Sequence, residues 1–320
     1  MGEFSIMGAW ALGYRFVAAR PLQHIALLFG IGLLVPIAIQ VVVGLLTGQN
    51  AFLDANGTNS VVGLVTTVIN WVLQTGALFA SLRFGVADRT SFGGALAYGL
   101  LAGLVVTISV ALLLSITAMS ATQFGPPGIV FFVMLGVLIP VMIALALYYT
   151  LLSALLGVGA ALILVLMMVF GAATGDVGLA ATYAGGGSGF VVVLLVILSV
   201  VLLWLAARLS CTAAIMAERK SVNVIAAMRA SWEMTADEQL RILLHLIVVG
   251  FALVILLLAV AATVGAGLAA TGGVMAPGAA LVPLLLMVLL VVPFLFLTVM
   301  VPVGIYRQLA GERAPVEVFA

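Results

Sequence analysis

Residues Leu27–Leu46 read LLFGIGLLVPIAIQVVVGLL, with no charged side chain and one amide, Gln40. A helix rising about 1.5 Å per residue crosses a hydrocarbon core of about 30 Å in a run of this length. Inside lipid the backbone N–H and C=O groups find no water, so a crossing segment is a helix or a strand of a closed barrel. Barrel strands alternate apolar and polar positions over about ten residues. Neither this run nor Val191–Ala207, VVVLLVILSVVLLWLAA, alternates. Both are read as transmembrane helices.

Working outward from them, similar runs fill the chain, at about 21–47, 60–83, 94–118, 128–149, 151–172, 189–210, 238–267 and 281–306. Of 320 residues, 66% are hydrophobic and 7% charged, far from the roughly 45–50% apolar and about 25% charged mixture of soluble domains. The mean hydropathy of +1.42 agrees. The expected fold is all-α, a polytopic transmembrane helical bundle of about eight spans, as a single membrane domain over residues 1–320.

The span count turns on Ile129 to Ala172, one apolar stretch about twice the spanning length, broken only by Tyr148, Tyr149, Thr150 and Ser153. One long tilted helix, a tight hairpin, or a span with a re-entrant piece would each fit. Lysine and arginine accumulate in short cytoplasmic loops, and this bias discriminates. With eight spans and a cytoplasmic N-terminus, Arg15, Arg20, Arg83, Arg89, Arg208, Arg219, Lys220, Arg229, Arg241, Arg307 and Arg313 all fall on the inner side. The outer loops then carry only Asp54 and Asp176. With a single crossing there, the cluster after the sixth span would lie opposite Arg15 and Arg83. A turn near Tyr148–Ser153 is therefore expected, in a bacterial-type inner (plasma) membrane with both termini cytoplasmic.

A net charge of +1 gives no general attraction to nucleic acid. The lone cysteine, Cys211, excludes an internal disulfide and a cysteine-built metal cage, and reads as a small buried hydrophobe. Arg15 and Arg20 precede the first run and no small-residue cleavage site follows it soon, so the run is expected to remain as a span.

Ala87-Asp88-Arg89-Thr90-Ser91 recurs as Ala217-Glu218-Arg219-Lys220-Ser221, each copy following an inner-end arginine, Arg83 or Arg208. Pro140 and Pro293 occupy the fourth and eighth spans alike. The pattern suggests a parallel 4+4 repeat with halves 21–149 and 151–306; chance similarity in Ala/Leu-rich sequence fits it equally.

Between Ser221 and Thr235 the periodicity changes. Asn223, Arg229, Glu233 and Asp237 share one helical face, with Val224, Ile225, Met228 and Trp232 opposite, which predicts an interfacial helix over 221–235. Thr235-Ala-Asp-Glu238 reads as a capping box opening the seventh span. Residues 4–19 make a weaker interfacial helix, with Met7, Trp10, Tyr14 and Val17 on one side; Ser91 to Gly99 make a third candidate.

Ser221, Ala227 and Ser231-Trp232-Glu233-Met234-Thr235, with a basic residue just before and a long apolar span just after, resemble the bacterial multi-span glycerophosphoryl diester phosphodiesterase membrane domain. In that family the membrane part can be fused to a soluble phosphodiesterase barrel that holds the catalytic residues. These 320 residues contain no such barrel, so no catalytic residue carries over. The resemblance implies a membrane-embedded accessory module linked to lipid metabolism.

Polar residues inside a membrane are functional candidates because burying them costs free energy. No Asp or Glu falls mid-span, which removes the carboxylates of proton or sodium coupling. His24 and His245 each lie about one turn into a span, and without a carboxylate neighbour they make a poor metal site. With Trp10 and Trp232 they are expected at the membrane interface. No HExxH, GxSxG, P-loop or CxxC arrangement occurs. Thr66 or Thr67, Asn70 and Gln74, continued by Ser81, form a stripe expected to face inward, as helix glue or as the lining of a substrate path. Ala95, Gly99 and Gly103 form a small-residue strip, and Pro36, Pro140 and Pro293 predict kinks. Arg83 and Arg208 stand at inner span ends, where their stems stay in lipid while the guanidinium groups reach phosphate. With Arg89 and Arg219 they are the candidate lipid-headgroup contacts.

The sequence therefore predicts a non-enzymatic lipid-binding or scaffolding membrane module, without catalytic residue, metal or cofactor, whose partners are membrane lipids or another membrane protein. The rival reading is a passive transporter or flippase of an amphipathic or hydrophobic small molecule or lipid.

Overall fold

The structure, a computed structural model, describes residues 4–47, 61–87, 90–123, 158–159, 188–270 and 281–311. The helices are α1 (Ile6–Ala18), α2 (Pro21–Thr47), α3 (Val61–Val86), α4 (Phe92–Gln123), α5 (Ser188–Leu209), α6 (Thr212–Arg219), α7 (Val224–Met234), α8 (Gln239–Ala270) and α9 (Leu281–Leu309). Among the described residues there is no strand. Five helical stretches are long and apolar enough to cross a membrane: Pro21–Thr47, Val62–Val86, Phe92–Ala111, Ser199–Arg219 and Gln239–Leu256, with Pro293–Leu309 of α9 a shorter apolar helix. The chain is thus an all-α, multi-pass membrane protein. Its surface agrees, since Leu45 is 79% and Leu46 81% exposed, a display that only hydrocarbon tolerates over this length of helix. The expected spans at 128–149 and 151–172 lie outside the described residues, apart from Val158 and Gly159, which are helical.

Close backbone approach fixes the two tightest helix contacts. A Cβ at Gly99 would overlap the Gly76 carbonyl oxygen, and one at Gly103 would sit 2.6 Å from the Gly76 amide nitrogen. Phe79 meets Tyr98 edge-on near this contact, so α3 and α4 run antiparallel. The small-residue strip on α4 does what such strips do in lipid, letting backbones touch where no hydrophobic force drives association. A Cβ at Gly304 would likewise overlap the Ala9 carbonyl, and one at Gly13 the Met300 carbonyl, so α1 lies antiparallel along the last turns of α9.

That second contact rotates α1 relative to the sequence expectation. Ala9, Leu12, Gly13 and Val17 are buried against the bundle, while Met7 and Tyr14 are exposed. Backbone proximity at the glycines decides the face, and small residues outrank the larger apolar ones. The stretch from Ser91 is not a separate interfacial helix either. Its hydroxyl accepts from the Gly94 amide at 3.1 Å and caps the start of α4.

Within α2, Ala26–Leu34 winds in wider π-type turns, and the Val35 amide reaches back five residues to the Gly30 carbonyl. Pro36 follows directly; it brings no N–H and its ring crowds the carbonyl one turn earlier, within the π-type segment.

The described basic residues gather at one end of the bundle. α2, α4 and α8 begin there and α3, α5 and α9 end there, as shown by His24 on Ser81, Phe92 beside Phe84, His245 beside Trp10, Arg307 on Val86, and Ser231 on the end of α5. Nine of the eleven, Arg15, Arg20, Arg83, Arg208, Arg219, Lys220, Arg229, Arg241 and Arg307, sit in this layer; Arg89 and Arg313 lie outside the described residues.

Candidate functional site

The basic end is built by helices that cap one another. Helix C-termini leave carbonyls without intrahelical partners and carry partial negative charge, so a guanidinium is a favoured partner. Arg83, near the end of α3, donates from Nη1 to the Ala217 carbonyl at 2.7 Å and also to the Glu218 carbonyl. Arg307, near the end of α9, donates from Nη2 to the Val86 carbonyl at 2.5 Å and lies over the Phe16 ring. Tyr306 donates its hydroxyl proton to the Glu218 carboxylate, and Tyr98 to the Ser221 carbonyl at 3.3 Å. Through these bonds α6, almost wholly buried, and the turn that follows it tie α3, α4 and α9 together. It stops at Lys220, which adopts φ 50°, a left-handed turn that returns its amide to Met216.

The residues that carry the family resemblance form a second lock. Ser231 and Thr235 both donate hydroxyl protons to the Arg208 carbonyl, at 2.9 and 3.1 Å, and Thr235 also donates to the Ser231 carbonyl. The Trp232 ring lies beneath the Arg208 guanidinium at 4.3 Å and meets Trp204 edge-on. Thr235 therefore closes α7 against α5 and does not open a capping box. Glu238 pairs instead with Arg241 at 3.1 Å. The predicted polar face of α7 carries Arg229 and Glu233, paired at 2.9 Å in the open, and Ile225 on the predicted apolar face is 80% exposed.

Four sequence-predicted interfacial residues divide between surface and core. Trp232 is exposed and Trp10 half-buried, but His24 and His245 are wholly inside the bundle. His24 Nδ1 and the Ser81 hydroxyl share a hydrogen bond of 2.6 Å. His245 packs edge-on against Trp10 and Phe4. Both histidines are covered by α1, α2 or α3, which the reading of single spans leaves out.

The stripe on α3 is only partly internal. Asn70 is buried, but Thr67 and Gln74 are exposed. Thr66 and Thr67 donate to their own helix, at Val62 and Gly63, which removes their need for an inward partner. Of the candidate headgroup contacts, Arg83 is buried and committed to α6, Arg208 is half-buried on Trp232, and Arg219 is exposed; Arg89 lies outside the described residues. Arg307, Tyr306 and Glu218 were not picked out from sequence, since nothing local marks a terminal arginine as the cap of a distant helix.

Among the described residues no three His, Cys, Asp or Glu side chains converge as metal ligands. The arrangement defines a class, the multi-pass helical membrane proteins, with a basic layer at one end. No family model, no curated protein and no solved structure matches the chain.

Proposed function

We propose that this chain is a non-enzymatic inner-membrane module whose basic end faces the cytoplasm and holds anionic lipid headgroups, serving as a lipid-binding scaffold. The supporting observation is the occurrence of exposed cations together with exposed apolar side chains in that layer. Arg15, Arg219 and Lys220 are exposed, beside exposed Met7, Tyr14, Ile225 and Trp232. Such a surface buries its apolar members among acyl chains and sets its cations at phosphate depth. Lysine and arginine are retained on the cytoplasmic side, which orients the layer. Arg83 contributes indirectly, since its guanidinium is taken up by carbonyls of α6.

A kinship with the membrane part of the phosphodiesterase family belongs to the same proposal. It is supported by Ser231, Trp232 and Thr235 acting as one unit on the end of α5.

The test is retention of phosphatidylglycerol against phosphatidylcholine by the purified chain, read by native mass spectrometry. Replacing Arg15, Arg219 and Lys220 together by glutamine should lower the preference for the anionic lipid by on the order of tenfold or more, at about 1 kcal/mol per cation. An unchanged preference refutes the reading.

A further inference from the structure

We propose that the α2–α3 interface is a binding site, entered sideways from the bilayer, for a neutral amphiphile whose carbonyl or hydroxyl group is recognised by the Asn70 carboxamide. Asn70 is 4% exposed, and neither its Oδ1 nor its Nδ2 has a hydrogen-bond partner. In hydrocarbon an unpartnered amide loses its hydration with nothing in return, so a bound group that supplies both an acceptor and a donor is strongly favoured there.

The face on which Asn70 lies is turned towards α2. Ser81 on that face bonds to His24, and a Cβ at Gly32 would meet the Ala77 Cβ at 3.2 Å. Asn70 stands two turns before Ala77 on the same side of α3. Nearer the basic end, opposite Ala77 and Ser81, α2 is irregular, with π-type turns over Ala26–Leu34, and such interruptions recur at functional sites. Leu34, Val35 and Ile37 of α2 and Trp71 of α3 are exposed, so both helices of this interface carry side chains that face acyl chains.

The chemistry of the walls selects the ligand. From Ile25 to Thr47 on α2 and from Val61 to Leu82 on α3 there is no ionisable side chain, so a charged group would enter without a counter-ion. A diacylglycerol-type ester or alcohol meets the requirement: apolar chains for the walls, and neutral oxygen groups for the amide.

This inference is independent of the headgroup reading, because the probe is uncharged. A diacylglycerol carrying a diazirine on one acyl chain is irradiated with the purified full chain, and the labelled peptides are mapped. Labelling of α2 and α3 should saturate, fall about tenfold in Asn70→Leu, and persist in Ser109→Ala. Ser109 is an exposed residue of α4 bonded to its own helix at Val105. The same lipid should raise the thermal midpoint of the wild type and leave that of Asn70→Leu unmoved. Should Asn70→Leu fail to fold, Asn70→Ala is read in the same way. Labelling that does not saturate, or that is equal in the Asn70 variant, overturns the proposal.

Discussion

Arg307 donates to the Val86 carbonyl at 2.5 Å while its guanidinium rests 4.2 Å from the centre of the Phe16 ring, so one side chain at the end of α9 caps α3 and holds α1 in place. Arg83 does the equivalent service one helix further on, at the end of α6. The basic layer is thus in part a structural joint, with only some of its cations left for the membrane.

The joint can be separated from the surface charge by substitution. Arg83→Met and Arg307→Met should each lower stability by about 1.5–3 kcal/mol, the usual loss for a buried charged hydrogen bond. Arg219→Gln, at an exposed position, should change it by less than about 0.5 kcal/mol. Thermal unfolding in a mild detergent checks the contrast; equal effects at the three sites would contradict it.

Glycines at the two close crossings should resist enlargement. Gly99→Ala and Gly304→Ala drive a methyl group into the backbones of Gly76 and Ala9, at a cost of about 1–3 kcal/mol each. Gly30→Ala meets nothing within 4 Å and should be neutral or mildly stabilising. The measurement is the unfolding midpoint of each variant against wild type.

Ser231 and Thr235 share one acceptor, the Arg208 carbonyl. Either hydroxyl alone still satisfies it, so Ser231→Ala and Thr235→Ala singly should cost about 0.5–1 kcal/mol, and the double variant more than their sum. A double-mutant cycle measures this; strict additivity would show that the two bonds are independent.

The orientation of the layer is open to chemical labelling. Cys211 is wholly buried and should stay unreactive towards a membrane-impermeant maleimide until the protein is unfolded. Against that silent background Lys220→Cys should label only from the cytoplasmic side. Ser188→Cys, at the start of α5 and far from the basic layer, should label only from the opposite side. Labelling of both from one side would overturn the proposed topology.

Much of the architecture was legible in residues such as Leu27–Leu46, where an uninterrupted apolar run leaves the backbone no conformation but a helix. The gathering of arginines at one end was legible too, because most stand beside the ends of apolar runs and transfer through hydrocarbon is costly. The strip at Gly99 and Gly103 was visible as a pattern, but its partner Gly76 was not. The candidate site was read less well. His24 and His245 look interfacial when their spans are taken singly, and become core residues once Ser81, Trp10 and Phe4 close over them.

Composition and local pattern by themselves determined that this chain is a bundle of helices in lipid, with its cations confined to the ends, because desolvation acts on each residue regardless of its neighbours. Tertiary structure alone decided which cations remain free, which face of α1 is covered and that Asn70 lacks a partner. Those outcomes depend on which carbonyl, glycine or ring from a distant helix arrives at each position, and spacing along one helix carries no record of that.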